Sequence, residues 1–479
     1  MRISIVLPAV LGVLVLGACN DLTVGDLNAP GIEETVNNPT RVGVLNLATG
    51  LQIGSRFGVG QQNGYVTLLG IVGEEIYNFD PADPRFITEM VFGPLDGGSP
   101  AFGGNLFQPY ANIRTANIML HAMDNLSDTP PAGMSPAEKQ ATLGYAQTMM
   151  AYDFLRALDT RWDNGIPIDV DIDPSGPPAA IVDSGVAFTH IVNLLDSAAA
   201  HLTAVGDAPF PFQMSTGFTG FDRTLTFRTF NRALRARVAI YRNDFAGALA
   251  ALNESFLNIV FPLSFGVYHT FTTAPGDSTN NLFDPNARAL LAHPTFETDA
   301  QKQVDLVTPD LRFVNKTTLL SSAHTSSGLS SNRALNVYSG PSAPVPIIRN
   351  EELILLRAEA NIGLNNLPAA LIDINFIRQT AGNLPPHAAF ASHDEALAEL
   401  LYNKRYSLFF EGGHRWIDMR HYGLLTTLPP TSPFFGTSLQ KEVTPSGTRH
   451  LFNRFPFPTN ECLPRTTQPA RGCTLEPGS

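Results

Sequence analysis

Four charged residues in the last third of the sequence could take part in chemistry: Arg357, Glu411, Arg415 and Asp418. Arg415 and Asp418 stand three positions apart, which places them on one face of a helix, and Glu411 stands one turn before Arg415. Such a set could form an acid–base centre, but no nucleophile or metal signature accompanies it. We therefore expect the four residues to form a buried ion network that ties helix ends to neighbouring helices, a role that suits the five N–H donors of arginine.

The sequence lacks the short patterns that mark common active sites. It contains no H-E-x-x-H, G-x-S-x-G, phosphate-loop or C-x-x-C motif. Gly58-Val59-Gly60 does not have the spacing of the dinucleotide-binding fingerprint and does not clearly follow a strand. These observations predict a protein that is not an enzyme.

Asp169, Asp171 and Asp173 alternate like the first ligands of a calcium-binding loop. An EF-hand needs glycine and glutamate later in the loop, where this sequence has Pro174 and Ala180. We favour a solvated acidic turn, and a calcium site of another class is the alternative. No other cofactor or metal site is expected.

The segments around these charged residues have the patterns of helices. Residues 352–363 are apolar on nearly every side, which predicts a buried helix. Asn365-Asn366 marks a turn, and Pro368 suits the first turn of a second helix. A third helix is predicted to begin at Ser392, which starts a capping box, and to end at Gly412-Gly413.

The first two of these helices resemble an earlier part of the chain. Residues 234–254 match residues 356–376 at eight positions, including the asparagine of the turn. Any two amphipathic helices share Ala and Leu, but the aligned turn favours a true repeat of helical hairpins. The sequence therefore predicts a mainly α fold in which tetratricopeptide-like hairpins carry long insertions of loops and short β segments.

Three segments between or after the helices are rich in Gly, Pro, Ser and aromatic residues: 77–109, 261–345 and the tail 424–479. The second alternates β-like or irregular stretches, such as VYHTFTT and LRFVNKTT, with polar turns. Loops of this length inside a compact domain usually carry function.

The N-terminus has the pattern of a secretory signal. Arg2 precedes the apolar run Ile3–Leu16, which is too short to predict a membrane-spanning helix, and LGAC ends at Cys19. This ending resembles the bacterial lipobox, in which the cysteine is acylated (for example with palmitate) and anchors the mature chain. We expect a lipoprotein signal peptide at 1–18 and lipidation of Cys19; an ordinary secretory signal is the alternative.

Composition predicts a folded protein with a substantial core. Apolar residues make up 44% of the chain, charged residues 15%, and the formal net charge is −12. No long basic run occurs, so we expect no nucleic-acid partner. We expect Cys462 and Cys473, separated by ten residues, to form a disulfide in an oxidising compartment; a two-cysteine metal site is less favoured because no His lies nearby.

Six segments that follow Cys19 form a recognisable series. They are FQPYANIRTANIML (107–120), LGYAQTMMAYDFLRALDTRWDNGIPI (143–168), TPDLRF (308–313), PIIRNEELILLRAEA (346–360), FFEGGHRWIDMRHYG (409–423) and FPFPTNE (455–461). In this order they resemble the SusD/RagB family of nutrient-binding lipoproteins. One departure is Lys404 before Arg405, where the family commonly has an acid.

The resemblance implies one SusD-like domain over residues 19–479, anchored by lipid in the outer membrane and exposed at the cell surface. Its implied function is to capture an oligosaccharide or peptide nutrient and deliver it to a SusC-like TonB-dependent β-barrel transporter. The alternative is a tetratricopeptide-type scaffold lipoprotein for envelope protein assembly, although a pure scaffold needs few long insertions.

The resemblance also implies that ligand is bound by loops, here 77–109 and 261–345, rather than by the repeats. Trp162 and Trp416 lie in helical motifs, so tryptophan platforms for sugars are absent from the loops. Each candidate could instead anchor its loop to the core. The candidate ligand-binding residues, chosen by position and residue type, are Tyr77, Arg85, Phe86, Phe102, Tyr268 and Phe271.

Overall fold

A computed structural model of the chain describes residues 31–98, 108–171, 176–426, 428–429, 431–434, 439, 443–444, 447–465 and 472–474. The predicted signal peptide with Cys19, and also Phe102 and Asp173, lie outside the described residues. Within those ranges, no helix combines the length and the apolar character needed to cross a membrane.

The fold is mainly α, as predicted. The helices are α1 Ile32–Asn37, α2 Arg41–Gly54, α3 Tyr65–Val72, α4 Arg85–Thr88, α5 Pro109–Asn125, α6 Pro136–Arg161, α7 Ser184–Val205, α8 Thr224–Tyr241, α9 Phe245–Asn253, α10 Thr295–Thr298, α11 Leu311–Lys316, α12 Asn350–Gly363, α13 Leu367–Thr380, α14 His393–Ser407, α15 His414–His421 and α16 Thr459–Cys462.

The strands are short and antiparallel. A four-stranded sheet has the order β1-β5-β7-β6, and β2–β3, β4–β8 and β9–β10 form pairs. In register, Tyr77 of β1 faces Leu291 of β5. The strands are β1 Ile76–Asn78, β2 Ile166–Pro167, β3 Ile181–Val182, β4 Gly266–His269, β5 Leu290–Ala292, β6 Thr317–Ser326, β7 Leu329–Leu335, β8 Val345–Arg349, β9 Val443–Thr444 and β10 Gly447–Thr448.

One stretch of the long insertion differs from its sequence pattern. Residues 311–316, predicted as β-like or irregular, form helix α11 before the chain enters β6. Asp310 explains the difference, because its side chain accepts a hydrogen bond from the N–H of Arg312 and caps the helix.

The two predicted repeats are antiparallel hairpins, α8–α9 and α12–α13. The aligned turn residues Asn243 and Asn365 both adopt the left-handed conformation, with φ of 57° and 58°. Asparagine tolerates this region better than most residues. Gly363 allows the hairpins to pack closely, because a Cβ there would lie 2.4 Å from the ring of Phe245.

Helix α6 is the central helix of the core. Ser135 and Glu138 form a capping box at its start. From Tyr145 onwards almost every side chain is buried, including polar ones such as Asp153 and Arg156. Helix α6 packs against α5 and α7. Its buried Arg156 also forms hydrogen bonds with the loop after α2.

Candidate functional site

Two adjoining cavities open where the loop after α2, the loop after β1 and the loop after β4 meet. The larger has a volume of about 470 Å³ and the smaller about 230 Å³, and both are lined by Gln61 and Asn281. We call them the joined cavities. The larger is also lined by Gln62, Asn63, Asp80, Asp83, Phe86 and Phe283, and the smaller by Ile53, Arg56, Phe57, Gly58, Gly60, Phe271, Asp277, Ser278 and Thr279.

Backbone contacts hold the shared wall of the joined cavities in place. The N–H of Asn281 donates to the carbonyl oxygen of Gly60 at 2.7 Å. A Cβ at Gly60 would lie 2.7 Å from the ring of Phe271, so glycine is needed for this close approach. The wall therefore depends on one loop from each side of the site.

An ion pair borders the smaller cavity. Arg56 pairs with Asp277 and donates to the carbonyl oxygen of Thr270 at 2.5 Å. Its guanidinium carbon lies 5.8 Å from the centre of the Phe271 ring, a cation–π distance. Hydrogen bonds from Thr272 and from Arg56 lower the pKa of Asp277 to about 2, so this carboxylate is charged at neutral pH.

A second ion pair borders the larger cavity. Nε and an Nη of Arg85 donate to the two carboxylate oxygens of Asp83 at 2.7 and 2.8 Å. This bidentate contact lowers the pKa of Asp83. Asp80 accepts a hydrogen bond from the N–H of Ala82, and among the described residues no cation pairs with it.

The amide side chains of Gln61 and Gln62 line the larger cavity without a hydrogen bond to any described residue. Unpaired amides can donate and accept toward a polar ligand. The half-buried ring of Phe283 adds an apolar surface to the same cavity, whereas Phe86 is 3% exposed and is buried in the cavity wall. The arrangement can bind a ligand that presents hydroxyl groups along its edges and C–H surface on its faces.

Helix α6 positions the floor of the smaller cavity. Buried Arg156 donates to the carbonyl oxygens of Ser55 and Phe57 at 2.6 and 3.0 Å. Asp153 accepts from Arg156 at 3.2 Å and from the side-chain amide of Asn112 at 2.5 Å. The helix therefore fixes the backbone on which Arg56 stands.

The same helix reaches the opposite wall. The hydroxyl of Tyr152 lies 2.9 Å from Nε2 of His269 and forms a hydrogen bond with it. Burial lowers the pKa of His269 well below its usual value, so the imidazole is neutral. His269 ends β4, two residues before Phe271, which links α6 to that ring.

Of the residues selected from the sequence as ligand contacts, Phe86 lines the larger cavity and Phe271 the smaller one. Arg85 lies beside the larger cavity through its pair with Asp83. Tyr77 is buried with its hydroxyl 3.0 Å from His293, and Tyr268 donates its hydroxyl to the carbonyl oxygen of Ser264. Tyr77 and Tyr268 line neither cavity, and Phe102 lies outside the described residues.

The loop after α2 supplies lining residues that the sequence analysis did not select: Arg56, Gln61 and Gln62. A signal for them exists in the sequence, because G-V-G-Q-Q-N-G (58–64) interrupts two helical patterns with glycines and amides. Its pairing with residues near 281, more than two hundred positions later, is a tertiary contact with no local signature.

The four charged residues expected to form one network lie instead in separate ion pairs. Helix α15 begins at His414, so Glu411 precedes it and does not share its face with Arg415. Gly413, the second glycine of the Gly412-Gly413 pair, is the N-cap of this helix and adopts the left-handed conformation. The pairs, by acceptor and donor, are Glu411 with Arg349, Glu74 with Arg415, Asp418 with Lys404, and Asp373 with Arg357.

Lys404, where the family commonly has an acid, is almost fully buried between two carboxylates. Its Nζ lies 2.5 Å from Asp418 and 2.9 Å from Glu359. Burial opposes the charge of Lys404, but attraction to these carboxylates outweighs it and raises the pKa of Lys404. This cluster joins α12, α14 and α15 and lies apart from the joined cavities.

Both tryptophans of the chain also belong to the scaffold. The guanidinium carbon of Arg420 lies 4.3 Å from the ring centre of Trp162 and 4.5 Å from that of Trp416. Trp416 donates its indole N–H to the carbonyl oxygen of Phe452 at 2.7 Å. The rings hold the C-terminal segment against α6 and α15.

The remaining candidates lie outside the joined cavities. Cys462 and Cys473 are joined by a disulfide near the C-terminus. Asp171 accepts hydrogen bonds from Asn117 and His121 at 2.6 and 2.7 Å. In the part of the chain that the structure describes, no group of three or more His, Cys, Asp or Glu side chains could hold a metal ion.

Solved structures share this fold along most of the chain. NanU of B. fragilis is 16% identical, with 94% of this chain and 99% of NanU covered and a TM-score of 0.63. A SusD-like carbohydrate-binding protein of Bacteroides fragilis is 14% identical, covered at 91% and 99%, with a TM-score of 0.64. A laminarin-binding SusD-like protein is also 14% identical, covered at 92% and 99%, with a TM-score of 0.57.

No curated protein sequence matches the chain. Residues 316–459, from the end of α11 to the start of α16, match the model of the SusD family. The matched part contains the whole second repeat hairpin, and the structural likeness covers 94% of the chain for NanU and 91% for the carbohydrate-binding protein. Residues 316–459 therefore have the sequence pattern of the SusD family, also called SusD/RagB, and the chain shares the fold of SusD-like proteins.

Proposed function

We propose that the protein captures an oligosaccharide in the joined cavities. The observation that carries the proposal is the combination, in one open site, of the unpaired amides of Gln61 and Gln62 with carboxylates and the half-buried ring of Phe283. Amides and carboxylates bind sugar hydroxyls, and aromatic rings pack on sugar C–H faces. Such binding requires no catalysis.

Two structural neighbours support an oligosaccharide over a peptide. One is described as a carbohydrate-binding protein and another as laminarin-binding, and both share the fold over more than 90% of this chain. The cavities also lack a sheet edge on which an extended peptide could add as a strand, at least among their described lining residues.

We further propose that the protein is a lipoprotein of the outer membrane, anchored through Cys19, that delivers its ligand to a SusC-like TonB-dependent transporter. The lipobox-like LGAC at 16–19 supports the anchor. The match of residues 316–459 to the SusD family supports the transporter as partner. In this proposal the helical repeats are the scaffold and the loops carry the ligand.

The ligand proposal is tested by applying the purified protein to an array of oligosaccharides and peptides. We expect binding to oligosaccharides that is lost when Gln61 and Gln62 are both changed to alanine. Gln379→Ala, at an exposed position on α13, is the matched control and should bind as the native protein does. Binding to peptides alone, or binding unaffected by Q61A/Q62A, would contradict the proposal.

Delivery is tested by native co-purification from the protein's own membrane. We expect a large TonB-dependent barrel at near-equal stoichiometry with the tagged protein. A C19S variant should be lost from the membrane fraction. Recovery of periplasmic assembly proteins in place of the barrel would contradict delivery and favour the scaffold alternative.

A further inference from the structure

The positively charged side chains around the joined cavities already have ion-pair partners. Both guanidiniums at the site already have carboxylate partners: Arg56 pairs with Asp277, and Arg85 pairs with Asp83. Arg56 is further engaged by the carbonyl oxygen of Thr270. An anionic ligand would therefore meet guanidiniums whose charge is already balanced by a carboxylate.

The carboxylates outnumber these cations. Asp80, Asp83 and Asp277 line the cavities, whereas Arg56 is the one cation among the described lining residues. Even with Arg85 included through its contact with Asp83, one carboxylate, Asp80, has no cationic partner among the described residues. The larger cavity therefore carries an excess negative charge next to neutral amides.

We infer that the joined cavities select saccharides by charge: they accept uncharged and amine-bearing sugars and exclude sugars that carry carboxylate or sulfate groups. The inference rests on the proposed function, and it names the chemical class of ligand for the same site. Asp80 is the residue that determines the selection. Its repulsion acts without direct contact, because like charges within a Debye length, about 10 Å at 0.1 M salt, raise each other's energy.

The test uses tetrasaccharides that share one linkage and differ in one charged substituent on each unit: neutral glucose units, glucosamine units with an amine at C2, and glucuronic acid units with a carboxylate at C6. Their affinities are measured by calorimetry at low and at high salt. We expect the glucuronic form to bind at least about tenfold more weakly than the neutral form at low salt, and the gap to narrow at high salt. The glucosamine form should bind at least as tightly as the neutral form.

An Asp80→Asn variant identifies the responsible group. Removing one carboxylate should tighten binding of the glucuronic form by about fivefold relative to the neutral form. Asp124→Asn is the control, because it makes the same charge change far from the cavities. Asn112 of α5 lies against Gly54, near the smaller cavity, and Asp124 lies about 18 Å further along the same helix. The variant should therefore leave the ratio unchanged.

The outcomes separate this inference from the proposed function. Glucuronic binding as tight as neutral binding would overturn charge selection and leave oligosaccharide capture standing. An unchanged ratio in D80N would overturn the role of Asp80. No binding of any saccharide, on the array or here, would overturn the proposed function and this inference with it.

Discussion

The backbone N–H of Asn281 donates to the carbonyl oxygen of Gly60 at 2.7 Å, across the wall that the two cavities share. The bond joins the loop after α2 to the long insertion, two segments that lie far apart in the sequence. On one side of the wall stands the ring of Phe271 and on the other the amide of Gln62. The shape of the site therefore depends on how closely these loops approach.

Gly60→Ala should weaken ligand binding more than it weakens folding. The added Cβ would lie 2.7 Å from the edge of the Phe271 ring and push the ring into the smaller cavity. Because the ring edge can move, we expect the free energy of unfolding to fall by only about 1 kcal/mol. Calorimetric titration with an oligosaccharide ligand should show a several-fold loss of affinity.

Gly50→Ala is the control for this change. Gly50 is exposed within α2, and a Cβ there would contact nothing within 4 Å. Alanine should stabilise the helix by about 0.5–1 kcal/mol and leave affinity unchanged. Equal affinity in G60A and the native protein would show that the ring of Phe271 does not contribute to binding.

Arg156→Met should destabilise the protein strongly. The variant removes both donors to the carbonyl oxygens of Ser55 and Phe57 and leaves buried Asp153 without its cation. Breaking one side of a buried ion pair costs about 3–5 kcal/mol. Urea unfolding followed by circular dichroism measures the loss.

The exposed pair of Arg223 and Asp207 provides the comparison. Their side chains are 44% and 50% exposed, so Arg223→Ala should cost less than about 1 kcal/mol. A similar small loss for Arg156→Met would contradict the claim that α6 fixes the loop beneath the smaller cavity.

Glu75 should make stability depend on pH. Burial raises its pKa from 4.5 to about 7, although the N–H of Phe410 donates to one carboxylate oxygen and partly opposes the shift. The folded state therefore holds the proton more tightly than the unfolded state. The resulting stabilisation is fully present below pH 4.5 and is lost as the pH rises through about 7.

Glu75→Gln removes this titration and retains an oxygen acceptor for Phe410. Relative to the native protein, the variant should gain about 2 kcal/mol of stability between pH 5 and pH 8. Thermal unfolding across that range gives the difference, with the exposed Glu34→Gln variant as the control. Parallel pH profiles for native protein and E75Q would show that Glu75 does not titrate in this window.

The disulfide between Cys462 and Cys473 should stabilise the C-terminal segment. The double variant C462S/C473S frees a loop of about ten residues, and closing a loop of that size contributes about 2–3 kcal/mol through the entropy of the unfolded chain. We expect a lower melting temperature for the variant. Reducing agent should lower the melting temperature of the native protein to the same value and leave the variant unchanged; a response of the variant would point to another cause.

The helical scaffold could be predicted from the sequence because its signals are local. The N-cap Ser392 accepts a hydrogen bond from the N–H of Glu395, and the turn residues Asn243 and Asn365 adopt the left-handed conformation, so each signal acts within a few residues. The patterns that surround them therefore determine where the helices begin and where the repeat hairpins turn.

The site was predicted only in part because its geometry is set by distant contacts. Phe86 and Phe271 were selected by residue type, but Gln61 gains its role only when Asn281 is placed beside it. The local sequence does not reveal the ion-pair partner of a buried charge either. Arg415 pairs with Glu74 rather than with Glu411, although Glu411 is nearer in sequence. Residue type predicted that these charges would be paired, and the tertiary fold decided with which partners.

The most direct test of the account is hydrogen–deuterium exchange of the protein with and without an oligosaccharide that it binds. We predict that backbone amides in 58–64 and 271–283 become protected, because these loops line the joined cavities. The repeat hairpins at 224–253 and 350–380 should show no change. Protection of the hairpins with none in the loops would contradict ligand capture in the joined cavities.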